Sequence, residues 1–233
     1  MAPGAGSVMA LENVSKVYGG AVSTIALNGV TFDIKEGDFA SIVGPSGSGK
    51  STLLNLLGAL DRPTSGKIYI NSHDISLYDD NQLSMIRNKY IGFIFQAYNL
   101  IGRLTAIENI EIPLMVRGIP RDKREVLAMQ SMRLIGIEGL RNKKPTFLSG
   151  GEQQRVAISR ALVAEPKIIL ADEPTGNLDS INSKVVMDAL IKINKEAGKT
   201  VIMVTHNLEL ANMTRKIIRI RDGMVEKIEN VAW

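Results

Sequence analysis

One octapeptide narrows the folds open to this chain more than any other feature. Gly44-Pro45-Ser46-Gly47-Ser48-Gly49-Lys50-Ser51 fits the spacing G-x-x-x-x-G-K-[ST]. A short apolar run, FASIVG (39–44), leads into it, and KSTLLNLLGAL (50–60) follows at helical spacing. The glycines let the main chain curl, so that successive N–H groups point inward at phosphate oxygens. The following helix presents its N-terminus to the same charge. Lys50 is placed to reach the β and γ phosphates, and the Ser51 hydroxyl to ligate Mg²⁺. Which nucleoside is bound does not follow from this loop alone.

Around the loop the chain alternates strand and helix. MALENVSKVY (9–18) and IALNGVTFDI (25–34) carry β-branched and aromatic residues, with turn signals at Gly19-Gly20 and Glu36-Gly37-Asp38. Residues 61–66 close the first helix, KIYINSHDI (67–75) predicts a strand, and IGFIFQ (91–96) predicts the next. His73 reads as a surface turn residue. Residues 104–165 predict a largely helical stretch broken by Glu108, Pro113 and Pro120, with an amphipathic period in DKREVLAMQSMRLIGI (122–137). KIILADE (167–173) and TVIMVTH (200–206) predict buried strands on either side of a helix, NSKVVMDALIKINKEAG (182–198), that ends at Gly198. IIRIRDGMVEKI (217–228) predicts a closing hairpin. Apolar strands alternating with helices imply a parallel sheet covered on both faces, with the helical stretch inserted between its halves. Residues 1–8 are small and Gly/Pro-rich and predict a loose tail. Residues 9–233 predict a single domain.

Two further elements carry chemistry. IILADE (168–173) is an apolar strand ending in two carboxylates, at the edge where parallel sheets bind ligands. Asp172 is suited to support Mg²⁺, directly or through water. Glu173 is suited to polarise an attacking water. Standing alone, two such acids also serve as a helix-capping pair. Behind a phosphate loop they read as catalytic. In LSGGEQQRVAISRAL, Ser149-Gly150-Gly151 opens an amphipathic helix: a hydroxyl, two bare backbones and a positive dipole end. Without context that is an ordinary N-cap. One nucleotide rarely needs two such starts in one chain.

With these elements in this order, the chain resembles the nucleotide-binding subunits of ATP-binding-cassette (ABC) transporters over nearly all of residues 10–230. The resemblance implies an α/β fold: a RecA-like P-loop NTPase core with a parallel sheet, an antiparallel β subdomain and an inserted α-helical subdomain. The core and β subdomain would take about 9–96 and 166–233, and the helical subdomain about 97–165. It implies ATP and Mg²⁺ as ligands. Tyr18 stands where the family places an aromatic on adenine, although an ordinary strand tyrosine also fits there. The resemblance extends the nucleotide contacts from the octapeptide to Thr52. Gln96 matches the glutamine that senses Mg²⁺ and the attacking water, and LSGGE (148–152) matches the signature motif. Its Glu152 departs from the commoner glutamine. Asn177-Leu178-Asp179 matches a loop that contacts the opposite subunit, with a plain turn role for Asp179 as the alternative. His206 matches the switch histidine on the γ-phosphate. Catalysis would rest on Glu173, His206, Gln96 and Lys50, and the metal on Ser51, Gln96 and Asp172.

The resemblance further implies a head-to-tail homodimer formed on ATP binding. Each ATP would touch the phosphate loop of one chain and Ser149, Gly150, Gly151 and Glu152 of the other. GALDRPTSGKI (58–68), FIFQAYNLIGRLTAIENIEIPL (93–114) and LADEPTGNLDS (170–180) resemble the subgroup serving lipoprotein release, macrolide and antimicrobial-peptide export, and a division-associated complex. Integral membrane permease subunits would then dock near residues 96–110, against exposed-looking Tyr98, Leu100 and Ile101. Core contacts within the inserted helices are the alternative for these side chains.

Composition excludes other classes. The chain has 233 residues, 45% hydrophobic and 22% charged, which rules out wholesale disorder. No run approaches the roughly 18 apolar residues of a spanning helix. MAPGAGSVM has neither a basic patch nor an apolar core, so no secretory signal is expected. The absence of cysteine excludes disulfide and thiolate chemistry. The expected location is the cytoplasm, peripheral on the inner face of the membrane through the permease. A net charge of +4 permits an anionic partner without demanding one, and no nucleic acid is expected. A soluble ABC-type ATPase acting on nucleic acid or ribosomes is the alternative. Such chains usually carry two cassettes or a coiled insertion, and neither is present. A nucleotide-gated scaffold would show degraded motifs, whereas Lys50, Asp172, Glu173 and His206 are intact.

Overall fold

The computed structural model describes residues 4, 6–20 and 23–231. Strand β3 (Phe39–Val43) is buried along its whole length and lies between parallel neighbours β8 (Thr200–Val204) and β9 (Lys216–Arg221). β7 (Ile168–Asp172) and β6 (Ile91–Ile94) extend the sheet in parallel, and β10 (Met224–Asn230) closes the other edge antiparallel. The order is β10-β9-β3-β8-β7-β6. Strands buried on both faces need apolar runs rather than alternation, as SIV, IILA and VIMV supply. The closing hairpin turns at Asp222-Gly223, both at positive φ, as a two-residue turn between twisted strands requires.

A second, antiparallel sheet runs β2-β1-β4-β5 (β2 Thr24–Lys35, β1 Ser7–Tyr18, β4 Ser65–Ile70, β5 His73–Asp74). Two expectations change here. Ser7 and Val8 of the expected tail belong to β1, where Val8 is buried; residues 1–3 and 5 lie outside the described residues. The single strand expected over 67–75 is a tight hairpin, because Asn71 and Ser72 both take positive φ. His73 therefore sits in β5 rather than in a turn, exposed, with Nε2 3.3 Å from the Tyr90 hydroxyl.

The helix after the phosphate loop, α1 (Lys50–Leu57), has eight residues and no side-chain cap. That is too short to persist alone. It buries Leu53, Leu54, Leu56 and Leu57 between the two sheets. Each leucine contributes about 1.5–3 kcal/mol on burial. Packing thus fixes the helix, and with it the direction in which its N-terminus points.

The stretch beyond β6 is largely helical, as expected: α3 (Ala106–Val116), α4 (Arg121–Ile135) and α5 (Gly150–Leu162) share one apolar cluster with two short 3-10 turns between α4 and α5. The expected breaks differ. Glu108 opens α3 by completing a capping box with Thr105, Pro113 lies inside that helix, and only Pro120 stands at a boundary, before α4. Helix α2 (Asp80–Tyr90) was not expected. Asp79 and Gln82 form its capping box, a signal that the sequence does carry. Helix α6 (Ser180–Ala197) packs on the other face of the main sheet and stops at Gly198 in the left-handed conformation. A short helix α7 (Leu208–Ala211) follows β8.

Candidate active site

The C-terminal ends of β3, β7 and β8 open into one cleft of about 450 Å³. Ser46, Gly47, Gly49, Lys50, Ser51, Thr52, Asp172, Glu173 and His206 all line it. The loop's course depends on bare backbone at Gly49. Its φ is +100°, and a Cβ there would lie 2.5 Å from the Ala26 carbonyl oxygen. Lys50 spans the loop, its ammonium donating to the carbonyls of Gly44 at 2.8 Å and Pro45 at 2.7 Å. Gly44 and Pro45 border a neighbouring hollow shared with His206. Ser48 is buried, and its hydroxyl has no partner among the described residues.

Asp172 ends β7 beside Val204 of β8. Burial pushes its carboxyl above the usual range, the neighbouring Glu173 pushes it further, and only Lys50 opposes them. The Asp172 carboxylate, short of positive charge, and the Ser51 hydroxyl line the same cleft and offer the hard oxygens that fit a divalent cation. A raised carboxyl also has a cost. Its penalty is absent below the unfolded pKa, grows as pH rises towards the folded value, and is full above it. Asp172→Asn should therefore raise the melting temperature at pH 7.5 by about 1–3 °C without nucleotide, and by nothing at pH 3. Differential scanning calorimetry at both pH values checks this.

Glu173 follows with φ +44°, a left-handed conformation that costs a non-glycine residue on the order of 1–2 kcal/mol. The turn is held by its N–H, which donates to Val204 O at 2.9 Å. It brings Oε1 to the His206 backbone N–H at 3.0 Å and to Nδ1 at 2.8 Å. A carboxylate only accepts, so Nδ1 carries the hydrogen. The Glu173 side chain is 16% exposed and that of His206 74%, so an inward acid is held by an outward-facing ring.

Other expected residues stand apart from this cleft. Tyr18 donates its phenol to Asp61 at 3.1 Å, and Lys16 lies over its ring at 5.0 Å. Gln96 and Asn177 are joined twice: Gln96 Nε2 donates to Asn177 Oδ1 at 3.3 Å, and Asn177 Nδ2 donates to the Gln96 main-chain carbonyl at 3.0 Å. Asp179 caps α6 and grips Asn182 through both carboxylate oxygens. Asn182 in turn abuts Gly151 so closely that a Cβ there would overlap its amide oxygen. Ser149 caps α5, accepting from the Glu152 N–H, while Glu152 accepts from the Ser149 N–H at 2.8 Å. That bond holds the Glu152 carboxyl below the usual carboxylate range. Tyr98 and Leu100, expected to be exposed, are half-buried: the Tyr98 hydroxyl lies against Gly150, and Leu100 packs on the helical cluster. Ile101 is exposed.

The structure adds residues that sequence reasoning missed. Thr24, Ile25 and Ala26 form a wall of the cleft. Nothing in their types signals this, since it follows from how β2 folds back over the loop. Gln154 is buried and donates to the Pro174 carbonyl at 2.6 Å, tying α5 to the turn that holds Glu173.

A phosphate loop at the end of a central parallel strand, facing an acidic strand end and a histidine, defines a nucleoside-triphosphate hydrolase site. A model of the ABC transporter family matches residues 27–176. An ABC transporter ATP-binding protein of Thermotoga maritima is 49% identical over 223 residues, covering 95% of each chain. The lipoprotein-releasing system ATP-binding protein LolD of Aquifex aeolicus is 45% identical over 218 residues, covering 94% of this chain and 96% of that one. The solved dimeric cassette MJ0796 of Methanocaldococcus jannaschii, bound to ADP and Pi in a post-hydrolysis state, superposes with a TM-score of 0.89 at 46% identity, covering 97% of this chain and 99% of that one. The chain belongs to the ATP-binding subunits of ABC transporters, and it is an ATPase.

Proposed function

We propose that the chain hydrolyses ATP at two composite sites in a head-to-tail homodimer and thereby drives integral membrane permease subunits. One observation carries this reading. The cleft that gathers the phosphate loop, the acids and the histidine has no contribution from Ser149, Gly150 or Gly151, so the second phosphate-type helix start is left for another chain's nucleotide. The dimeric state recorded for MJ0796 supports it.

In this reading the loop N–H groups and Lys50 hold the triphosphate, and Tyr18 stacks on the adenine. Glu173 takes a proton from the attacking water at its carboxylate, which His206 holds in place through Nδ1–H. The departing phosphate charge is met by Lys50 and by the partner's α5 start, where Ser149 is exposed at the N-terminus of the helix. Ser51 and Asp172, joined by Gln96 from the loop after β6, the strand beside β7, would hold Mg²⁺, which would supply neutralisation of the β and γ phosphates. Asp179 and Glu152 organise the surface that meets the partner.

The ATPase core takes about 9–96 and 166–233, and the helices at about 97–165 form the arm that carries Ser149. Among the described residues no helix is long and apolar enough to cross a membrane. Membrane attachment then falls to a partner. A groove of about 510 Å³ beside residues 96–110 suits it, with Phe93, Phe95, Ile101 and Val116 as apolar lining and Arg87 as a charged one. On this reading the chain works on the cytoplasmic face of the membrane. Lipoprotein release, export and transmembrane mechanotransmission all fit such an arrangement.

The test is Ser149→Arg. Turnover should fall by about 100-fold, as removal of a charge-stabilising donor does, while ATP affinity of the isolated chain stays within about twofold. Binding lost together with turnover would mean that Ser149 acts within its own chain.

A further inference from the structure

Gln96 is exposed, at the start of a loop, yet its place in the proposed site demands a fixed backbone. Two residues on, the chain does something rare: Tyr98 and Asn99 are consecutive non-glycine residues at φ +60° and +50°. Such a pair persists only where surrounding contacts over-determine it. Local bonds are few and tight, namely Tyr98 N–H to Phe95 O at 3.1 Å and Asn99 N–H to Ala97 O at 2.6 Å. The carbonyls of Tyr98 and Asn99 take their donors from elsewhere in the fold.

Both donors come from one side chain. Arg160, near the far end of α5, donates Nη2 to Tyr98 O at 2.7 Å and Nη1 to Asn99 O at 2.6 Å. No ion pair involves it among the described residues, and it is half-buried. A planar fork with two parallel donors matches two successive carbonyls, and an ammonium cannot reproduce it. The helix that carries Arg160 also begins at Ser149, and the Tyr98 hydroxyl packs on Gly150 at that beginning. The strained turn is thus gripped at both ends by α5.

We infer that Arg160 is a positioning residue for ATP hydrolysis: its guanidinium fork holds the Tyr98–Asn99 turn and so fixes Gln96 relative to the site. This rests on the place given to Gln96 above. The loop and the signature helix then move as one body, so a shift of α5 shifts Gln96 with it.

The experiment is a double-mutant cycle on steady-state ATPase activity, with Gln96→Ala and Arg160→Lys alone and together. Arg160→Lys keeps the charge and loses the fork. It should lower kcat about 10-fold with KM changed less than about twofold, and add less than about twofold in the Gln96→Ala background. Asn99→Pro breaks the same turn from the exposed side without touching α5, since proline cannot take positive φ. It should show the same loss and the same lack of additivity, which covers the case in which Arg160→Lys does not fold. Fully additive effects, or wild-type turnover in Asn99→Pro, would overturn the inference and leave the site reading intact. Wild-type turnover in Gln96→Ala would overturn the role of Gln96 and this inference with it.

Discussion

Glu173→Gln should leave a chain that binds ATP and hardly hydrolyses it. The amide keeps the volume of the carboxyl and an oxygen that accepts from the His206 backbone N–H, so the turn at φ +44° has no reason to change. What it loses is the capacity to take a proton. General-base catalysis by a positioned carboxylate contributes about 10²–10⁴-fold, and kcat should fall within that range. Binding should not weaken. The Glu173 charge is one of the causes that raise the Asp172 carboxyl, so removing it eases the ionisation of Asp172 and favours the metal-bound nucleotide. Single-turnover hydrolysis beside equilibrium binding of a fluorescent ATP analogue separates the two effects. Turnover within threefold of the unsubstituted chain would remove Glu173 as the base.

Lys50→Ala should do the opposite, with binding lost first. Among the described residues Lys50 is the one lysine or arginine lining the cleft, and its ammonium already sits among loop carbonyls. Moving from those carbonyls to phosphate oxygens exchanges neutral acceptors for charged ones. A charge-assisted bond is worth about 1.5–3 kcal/mol, so ATP affinity should fall about 10- to 100-fold. ADP, without the γ-phosphate, should be affected less. Isothermal titration with both nucleotides gives the comparison. Equal losses for the two would mean that Lys50 reaches no further than the β-phosphate, and no loss for either would contradict the phosphate-loop assignment.

Much of this site is legible in the residues because its chemistry is local. A phosphate loop needs glycines, a lysine and a hydroxyl within eight positions, and an acidic strand end needs only that the strand stop where the acids begin. The apolar runs around β3, β7 and β8 announce a buried parallel sheet for the same reason. What the sequence hides depends on contacts across the fold. Thr24–Ala26 line the cleft because β2 doubles back, which no pattern within β2 encodes. Gln154 and Arg160 look like the polar face of an amphipathic helix until the structure shows which carbonyls they reach. Pro113 illustrates the converse. Its local signal, to end a helix, loses to the burial of Ile107, Ile110 and Leu114 on α3. The hairpin at Asn71-Ser72 escaped a reading based on apolar runs because its turn residues sit inside an otherwise strand-like segment.

The central claim is that each working site is built from two chains, and mixing two inactive variants tests it most directly. Lys50→Ala chains lack a working phosphate loop, and Ser149→Arg chains lack a working signature helix. In a head-to-tail dimer of one of each, both lesions fall in one site and the other site is intact. Random pairing at equal amounts makes half the dimers mixed, so ATPase activity should recover to about a quarter of that of the unsubstituted protein. If each site lay within one chain, the mixture would stay as inactive as its parts.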